Sequence, residues 1–173
     1  MEFITELKKC VQKNNKSNFE VFLAIDTGMG RIGFADVDAA IRSSKLEGIK
    51  IDGAFTHFSR ADMTDAESVE FTKNQYKKFE KIVSKLKKEI KTPLVCHSAN
   101  SAGVFKYPEF QMDMVRAGIV IYGLYPNPQD KRTYKGIKPV MEIKAFISHV
   151  KWVEEGQSIG YGAAFTASQK MRV

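Results

Sequence analysis

The stretch CHSANSAGVFKYPEFQMDMVRAGIVIYGLYP, Cys96 to Pro126, decides the fold of this 173-residue chain. A short apolar strand is predicted over Pro93 to Cys96, and it runs directly into a cluster of small polar side chains. A second apolar run, Gly118 to Leu124, follows Arg116, and its glycines leave backbone N–H groups open to close approach by a ligand. Because phosphate groups commonly bind where the last strands of an α/β barrel end, the stretch predicts a phosphate site.

Outward from this stretch, predicted strands and helices alternate. The strands are predicted over Phe19 to Ile25, Gly48 to Phe55, Pro93 to Cys96 and Gly118 to Leu124, and the helices over Ile4 to Gln12, Asp36 to Ser44, Asp65 to Ile90 and Ser101 to Phe105. The first strand is apolar enough to be buried on both faces. Such alternation predicts an α/β fold with a parallel sheet, here a partial (β/α)8 TIM barrel of about four βα units.

The texture of the sequence changes after Pro126-Asn127-Pro128. Residues Val140 to Val153 alternate between apolar and polar, which is typical of antiparallel strands. We therefore predict two domains, 1–126 as a barrel part and 127–173 as the start of an all-β domain. Since a complete barrel usually needs about 250 residues, we expect this chain to be a fragment.

Composition and charge exclude several classes of protein. Apolar and charged contents of 43% and 27% are typical of soluble globular proteins, and no apolar run reaches the roughly 18 residues of a membrane span. Two cysteines and a polar N-terminus favour a reducing, cytoplasmic location, and no metal site is expected. The net charge of +7 comes largely from lysines interleaved with glutamates on the long helix, so we favour a solvated face over a nucleic-acid site.

Four segments, in order, resemble the bacterial alanine racemases, which are barrel-fold pyridoxal-phosphate enzymes. HSANSA followed by MVRAGIVIYGLYP resembles their phosphate-binding half. The others are DTGMGRIGF (Asp26 to Phe34), GAFTHFSRAD (Gly53 to Asp62) and KPVMEIKAFISHVKWVEEGQSIGYGAAFTA (Lys138 to Ala167). The resemblance implies interconversion of L- and D-alanine for peptidoglycan, pyridoxal 5'-phosphate as cofactor, and a homodimer.

The resemblance also implies roles for residues that contact the cofactor. Ser101 and the backbone of Gly118 and Ile119 would hold the phosphate, Arg116 would face the pyridine nitrogen, and His57 would lie against the ring. From the residues alone, Ser101 could equally be a helix N-cap, Arg116 a surface ion-pair partner and His57 a packed core residue.

Further roles concern the substrate and the proton. Met29 and Arg31 would approach the substrate carboxylate and the cofactor's phenolic oxygen, although Gly28-Met29-Gly30 could also be only a tight turn. Tyr161 would be the base for the L-enantiomer, contributed across the dimer and linked through His57 to Arg116; without the resemblance its GYG triplet indicates a β-turn. His97 and Asn100 are expected to shape their loop.

The sequence departs from the family pattern at three places. The VKANAYGHG-type motif, whose lysine is both the covalent link to the cofactor and the opposite base, is not in this sequence. Ala24 stands where many members have a carbamylated lysine, and Phe165 where a tyrosine is common. We therefore expect that this chain alone does not racemise alanine.

Other functions remain open at this point. A serine-preferring racemase and a pyridoxal-phosphate-dependent decarboxylase share the barrel, and we expect the residues that choose the substrate to lie outside this chain. A non-catalytic pyridoxal-phosphate homeostasis protein has the barrel alone, so the β-patterned tail from Lys138 disfavours it.

Overall fold

A three-stranded parallel sheet, in the order β1-β2-β3, lies at the centre of the computed structural model. The structure describes residues 2–13 and 19–173. They fall into two units, Met1–Val140 and Met141–Val173. The sequence places its change of texture at 126, and the domain division there stays a prediction.

The first unit follows the predicted alternation closely. It contains α1 (Glu2–Lys13), β1 (Phe19–Ala24), α2 (Val37–Ser44), β2 (Ile49–Phe55), α3 (Ala66–Glu89), β3 (Val95–His97), α4 (Ser101–Lys106), α5 (Asp130–Thr133), and 3-10 turns at Pro108–Phe110 and Ile119–Tyr122. The predicted helices are confirmed, α1 included, although the side chains of Ile4, Leu7 and Val11 and the Asn14–Asn18 cluster lie outside the described residues. Within the described part of the chain, no helix is long and apolar enough to cross a membrane.

The core of this unit lies between the sheet and helices α2 and α3. Its buried members are Leu23, Ile25, Ala40, Ile41, Ile51, Ala54, Phe79, Val83, Leu86, Leu94 and Cys96. Asp36 begins α2 by accepting hydrogen bonds from the N–H groups of Asp38 and Ala39, and Asp65 begins α3 by accepting one from Ser68. The N-caps and the apolar stripes of α2 and α3 are local signals in the sequence, which explains why both helices could be predicted from it.

Strand β1 is less buried than its composition predicts. Leu23 is buried, but Phe19 and Phe22 are 42% and 40% exposed. The prediction of burial on both faces is wrong because β1 pairs with β2 alone and is covered by core residues on one face.

The apolar run from Gly118 to Leu124 is not a strand, so the first unit has three parallel strands rather than four. Ile119–Tyr122 forms a 3-10 turn, with Ile121 and Tyr122 exposed. The outer edge of β3, where a fourth strand would pair, is taken by another segment: the Asp113 N–H donates to the Cys96 carbonyl at 3.0 Å. The Asp113 carboxylate also accepts from the Cys96 N–H at 2.8 Å.

The second unit is built from short antiparallel pairs. Its elements are β4 (Trp152–Val153), β5 (Ser158–Ile159), a 3-10 turn at Tyr161–Ala163, β6 (Phe165–Thr166) and β7 (Met171–Arg172), with β4 paired to β7 and β5 to β6. The strand pattern predicted from Val140 to Val153 is realised only at β4. Lys151 extends the pairing of β4 with β7 by exchanging backbone hydrogen bonds with Val173, whereas residues 141–150 have no partner strand among the described residues and Phe146 is fully exposed. Alternation alone was therefore not sufficient.

Candidate functional site

The loops that follow β1, β2 and β3 meet at a cleft of about 410 Å³. Parallel strands bring their carboxyl ends to one edge of the sheet, which is where ligands bind in α/β folds. The cleft is lined by six of the residues predicted for the site: Met29, His57, Ser101, Arg116, Gly118 and Ile119. Residues that are far apart in the sequence are thus brought together.

Arg116 is the centre of the site. Its Nη1 donates to Nδ1 of His97, and its Nη2 donates to the Thr56 carbonyl at 2.7 Å and to Nδ1 of His57 at 3.2 Å. The guanidinium carbon lies 4.8 Å from the centroid of the Phe55 ring. These contacts show that Arg116 is a half-buried, oriented group and not the surface ion-pair partner that its sequence context alone suggests.

These hydrogen bonds determine the protonation of both histidines. Because a guanidinium only donates, Nδ1 of His57 and Nδ1 of His97 must both be unprotonated acceptors, and each ring carries its proton on Nε2. Burial and then the charge of Arg116 lower the pKa of His97 to about 4. Burial, Arg116 and Arg31, in that order, lower the pKa of His57. Both imidazoles are therefore neutral at physiological pH.

Ser101 and Gly118 form the second part of the site. The Ser101 hydroxyl accepts a hydrogen bond from the Gly118 N–H at 2.8 Å, which leaves the hydroxyl hydrogen available to donate. The position of Ser101 in the sequence suggested that it could be the N-cap of α4, but the N-cap is Asn100, whose side chain accepts from the Gly103 N–H at 3.1 Å. Asn100 also donates to the Phe58 carbonyl at 3.0 Å, so it shapes the loop as expected.

The loop after β1 presents Met29 to the cleft. Asp26 accepts hydrogen bonds from the N–H groups of Gly28 and Gly30, at 2.9 and 3.1 Å, and these bonds, led by that of Gly30, lower the pKa of its carboxyl. Gly28 and Gly30 both have positive φ, so this segment is a tight turn as well as part of the cleft wall. Arg31 is exposed and does not line the cleft. Among the described residues no ion pair involves it, which is consistent with alanine at position 24.

Tyr161 and Phe165 belong to the second unit. Tyr161 lies in the 3-10 turn and its side chain is fully exposed. Phe165 lies in β6 and is 48% exposed. The predicted role of Tyr161 as a base stays a prediction.

Sequence reasoning missed two residues at this site. His97, expected only to shape its loop, is 3% exposed and contacts Arg116 directly. Its position at the carboxyl end of β3, beside the loop after β2 that carries His57, was the available signal, because neighbouring parallel strands end at the same edge. Gln75, on α3, was not singled out among the polar residues of the long helix, and it is 1% exposed.

Together these features define an α/β protein with a cleft, centred on Arg116, at the carboxyl ends of its parallel strands. A family model described as "Alanine racemase, N-terminal domain" matches residues 1–126. The chain belongs to this family.

Curated relatives extend the match beyond residue 126. The chain is 38% identical over 172 residues to an alanine racemase of Treponema denticola and 40% identical over 174 residues to one of Ligilactobacillus salivarius. In both cases 98% of this chain is matched to 45% of the relative. The chain thus spans about half the length of the curated relatives it matches.

Solved structures agree with the sequence comparison. An alanine racemase of Clostridium difficile 630 is 33% identical, with a TM-score of 0.74 over 99% of this chain and 44% of that one. One of Streptomyces coelicolor A3(2) is 27% identical, with a TM-score of 0.82 over 99% and 46%. The fold of this chain is therefore that of the corresponding part of these proteins.

Proposed function

We propose that this chain supplies the pyridoxal-phosphate-binding face of an alanine racemase. The observation that carries the proposal is a single guanidinium that donates to two neutral imidazoles in a cleft beside the Ser101 hydroxyl. The family membership and the relatives' names support alanine as the substrate. In the same proposal, the three parallel strands are part of a (β/α)8 barrel in a cytoplasmic enzyme.

The donors in the cleft suit the cofactor. Arg116 uses three of its five N–H groups within the protein, so two remain for an acceptor such as a pyridine nitrogen. The Ser101 hydroxyl and the backbone of Gly118 and Ile119 line the same cleft and would hold the phosphate. Gly118 has room for a ligand's close approach, since a Cβ there would meet only the Ser101 Oγ, at 3.7 Å.

Bound pyridoxal phosphate would supply the electron-withdrawing system that makes the substrate Cα acidic. Arg116 cannot readily give a proton to the pyridine nitrogen, because guanidinium pKa values exceed about 12. It would instead orient the ring and keep that nitrogen unprotonated. Met29 and Arg31 would approach the substrate carboxylate and the phenolic oxygen from the loop after β1.

The protonation of His57 suits a neighbouring base. Its Nδ1 is occupied by Arg116, so Nε2–H is the group it can offer to a phenolate oxygen. A tyrosine is a poor base at its ordinary pKa of about 10 unless nearby donors favour the anion. We propose that Tyr161 of a partner subunit receives this hydrogen bond in a homodimer and removes the proton from L-alanine.

The lysine that would act on the opposite face belongs to a motif that this sequence does not contain. We therefore propose that the 173-residue chain by itself does not racemise alanine, whereas a full-length protein that includes the motif does.

Measuring L-to-D alanine exchange with pyridoxal phosphate in both forms tests this proposal. Exchange by the full-length protein only, with a strong preference for alanine over serine, is the expected result. Arg116→Lys should keep the positive charge but lose the planar guanidinium that donates to several acceptors at once. We expect it to lower kcat by about a hundredfold. Cofactor binding without exchange by the full-length protein would contradict the racemase assignment.

A further inference from the structure

Gln75 is a polar side chain on the buried stripe of α3. It is 1% exposed, and the residues one turn before and after it, Thr72 and Phe79, are also fully buried. An amide at this depth is retained only if its donors and acceptors are paired, because an unpaired one destabilises the fold. The hydrogen bonds of Gln75 therefore indicate what it is for.

All the hydrogen-bonding groups of the Gln75 amide are directed at the loops after β1 and β2. Its Nε2 donates to the His57 carbonyl at 3.2 Å and to the Thr27 hydroxyl at 3.3 Å. Its Oε1 accepts from the Ser59 N–H at 3.0 Å and from the Ser59 hydroxyl at 3.3 Å. A carbonyl can only accept and a backbone N–H can only donate, so His57 and Ser59 fix the orientation of the amide.

The network continues from Gln75 to Arg116. The Thr27 hydroxyl lies 2.7 Å from the Thr56 hydroxyl, and both threonines are buried. The Thr56 carbonyl accepts from Arg116 at 2.7 Å. One amide thus ties together the turn that carries Met29, the backbone on both sides of Phe58, and the carbonyl that orients Arg116.

We propose that Gln75 is a positioning residue for the reaction: it holds the loops after β1 and β2 in the one register in which His57 accepts from Arg116 and Met29 lines the cleft. The reaction that Gln75 would serve is the proposed racemase function, on which this part of the inference rests. The hydrogen bonds that hold the two loops lie within this chain and do not depend on it. Gln75 forms no hydrogen bond to either imidazole or to the guanidinium, and acts through Thr27, the His57 carbonyl and Ser59.

The first test is Gln75→Glu in the full-length protein. A carboxylate would place an oxygen against the His57 carbonyl, so the folded state should favour the protonated acid, whose O–H can replace the lost donor. The pKa of the introduced acid is then raised in the folded state, and stability relative to wild type should fall as pH rises above about 4.3, the unfolded value. A stability difference that does not change with pH would show that the side chain at position 75 is not held in a buried site against the His57 carbonyl, and would overturn the proposal.

The second test compares Gln75→Met with Thr72→Val as a matched control. Gln75→Met keeps the volume and removes every hydrogen bond to the loops, whereas Thr72→Val removes a buried bond to the Ser68 carbonyl on the same helix. The 15N signals of His57 report its tautomer in the ligand-free protein. We expect Gln75→Met to lose the pure Nε2–H form and to weaken pyridoxal-phosphate binding by at least about tenfold, and Thr72→Val to change neither.

A folded Gln75→Met protein with an unchanged His57 signal overturns the proposal. If Gln75→Met does not fold, Thr27→Val and Thr27→Ser decide: only the serine variant keeps the hydroxyl, so only it should retain the wild-type signal. If the wild-type protein binds no pyridoxal phosphate, the proposed function fails, while the His57 signals still decide the positioning role.

Discussion

Arg116 holds a positive charge between two imidazoles, and no ion pair among the described residues neutralises it. Its partners are instead a carbonyl, an aromatic face and two ring nitrogens. A carboxylate paired with Arg116 would neutralise its charge and make the two histidines easier to protonate. The arrangement keeps a cation available for a ligand and keeps both histidines neutral.

The buried histidine should make the protein sensitive to acid. The pKa of His97 is lowered from 6.5 to about 4, so the unfolded state binds the proton first as pH falls. The stabilisation is complete above pH 6.5 and is lost as pH falls through about 4, by up to about 3 kcal/mol. Denaturant unfolding between about pH 7 and pH 4.5 measures this loss.

His97→Gln is the matched variant, because a glutamine oxygen can still accept from Arg116 but does not titrate. Its free energy of unfolding should vary less with pH over this range than that of wild type, with the remaining variation due in part to His57. Equal pH dependence in the two proteins would show that His97 is not the group responsible.

At the scale of single elements, Asn100 supports α4 from two directions. Its side chain accepts from the Gly103 N–H and donates to the Phe58 carbonyl. Asn100→Ala should therefore reduce the free energy of unfolding by about 2 kcal/mol, the cost of losing a cap and leaving a partner unpaired. Asn100→Ser keeps a cap without the amide donor and should lie between wild type and Asn100→Ala in the same unfolding experiment. Equal losses in the two variants would mean that the cap contributes nothing, and no loss in Asn100→Ser would mean that the bond to Phe58 contributes nothing.

Substitution by alanine should change the stability of the protein greatly at Gly53 and little at Gly118. A Cβ at Gly53 would lie 2.0 Å from the Val95 carbonyl oxygen and 2.5 Å from the Phe22 ring, so Gly53→Ala must push the sheet apart. We expect a loss of at least about 3 kcal/mol or failure to fold. Gly118→Ala has space and ordinary φ, so thermal melts should show little change, while phosphate or cofactor binding weakens. A melt of Gly53→Ala like that of wild type would contradict this account of the sheet.

Elements that carry their own signals were predictable from the sequence. Helix α3 has a capping aspartate and an apolar stripe, and β2 lies between capped helices, so local chemistry defined both. The run from Gly118 to Leu124 is equally apolar, but a strand needs a free edge, and Asp113 occupies the edge of β3. No local pattern reveals that competition.

The site was predictable to the extent that its residues end strands. The polar cluster that includes Ser101 follows β3, and His57 follows β2, whereas Arg116 ends no strand and was predicted from the family motifs alone. The structure brings all three residues into one cleft. Gln75 was not predicted, because a glutamine on a lysine-rich helix indicates a solvent-facing position, and only the tertiary structure shows which loops lie opposite it.

At the scale of the whole molecule, the proposed site is shared between subunits, and subunit mixing can test this. Tyr161→Ala and Arg116→Met should each inactivate a full-length homodimer. If Tyr161 acts across the dimer, a mixed dimer contains one site with both residues intact and one with neither. Random exchange should then restore about a quarter of wild-type activity, because half of the dimers are mixed and each has one working site.

The same mixing distinguishes the alternative in which Tyr161 acts within its own subunit. Each site of a mixed dimer would then lack one of the two residues, and activity would stay at the level of the separate variants. Mixing Arg116→Met with His57→Gln is the control, since these residues contact each other within one chain and both arrangements predict the same result for the pair. One site of that mixed dimer would lack Arg116 and the other His57, so activity should stay at the level of the separate variants. Recovery there would show that mixing restores activity for a reason other than the position of Tyr161.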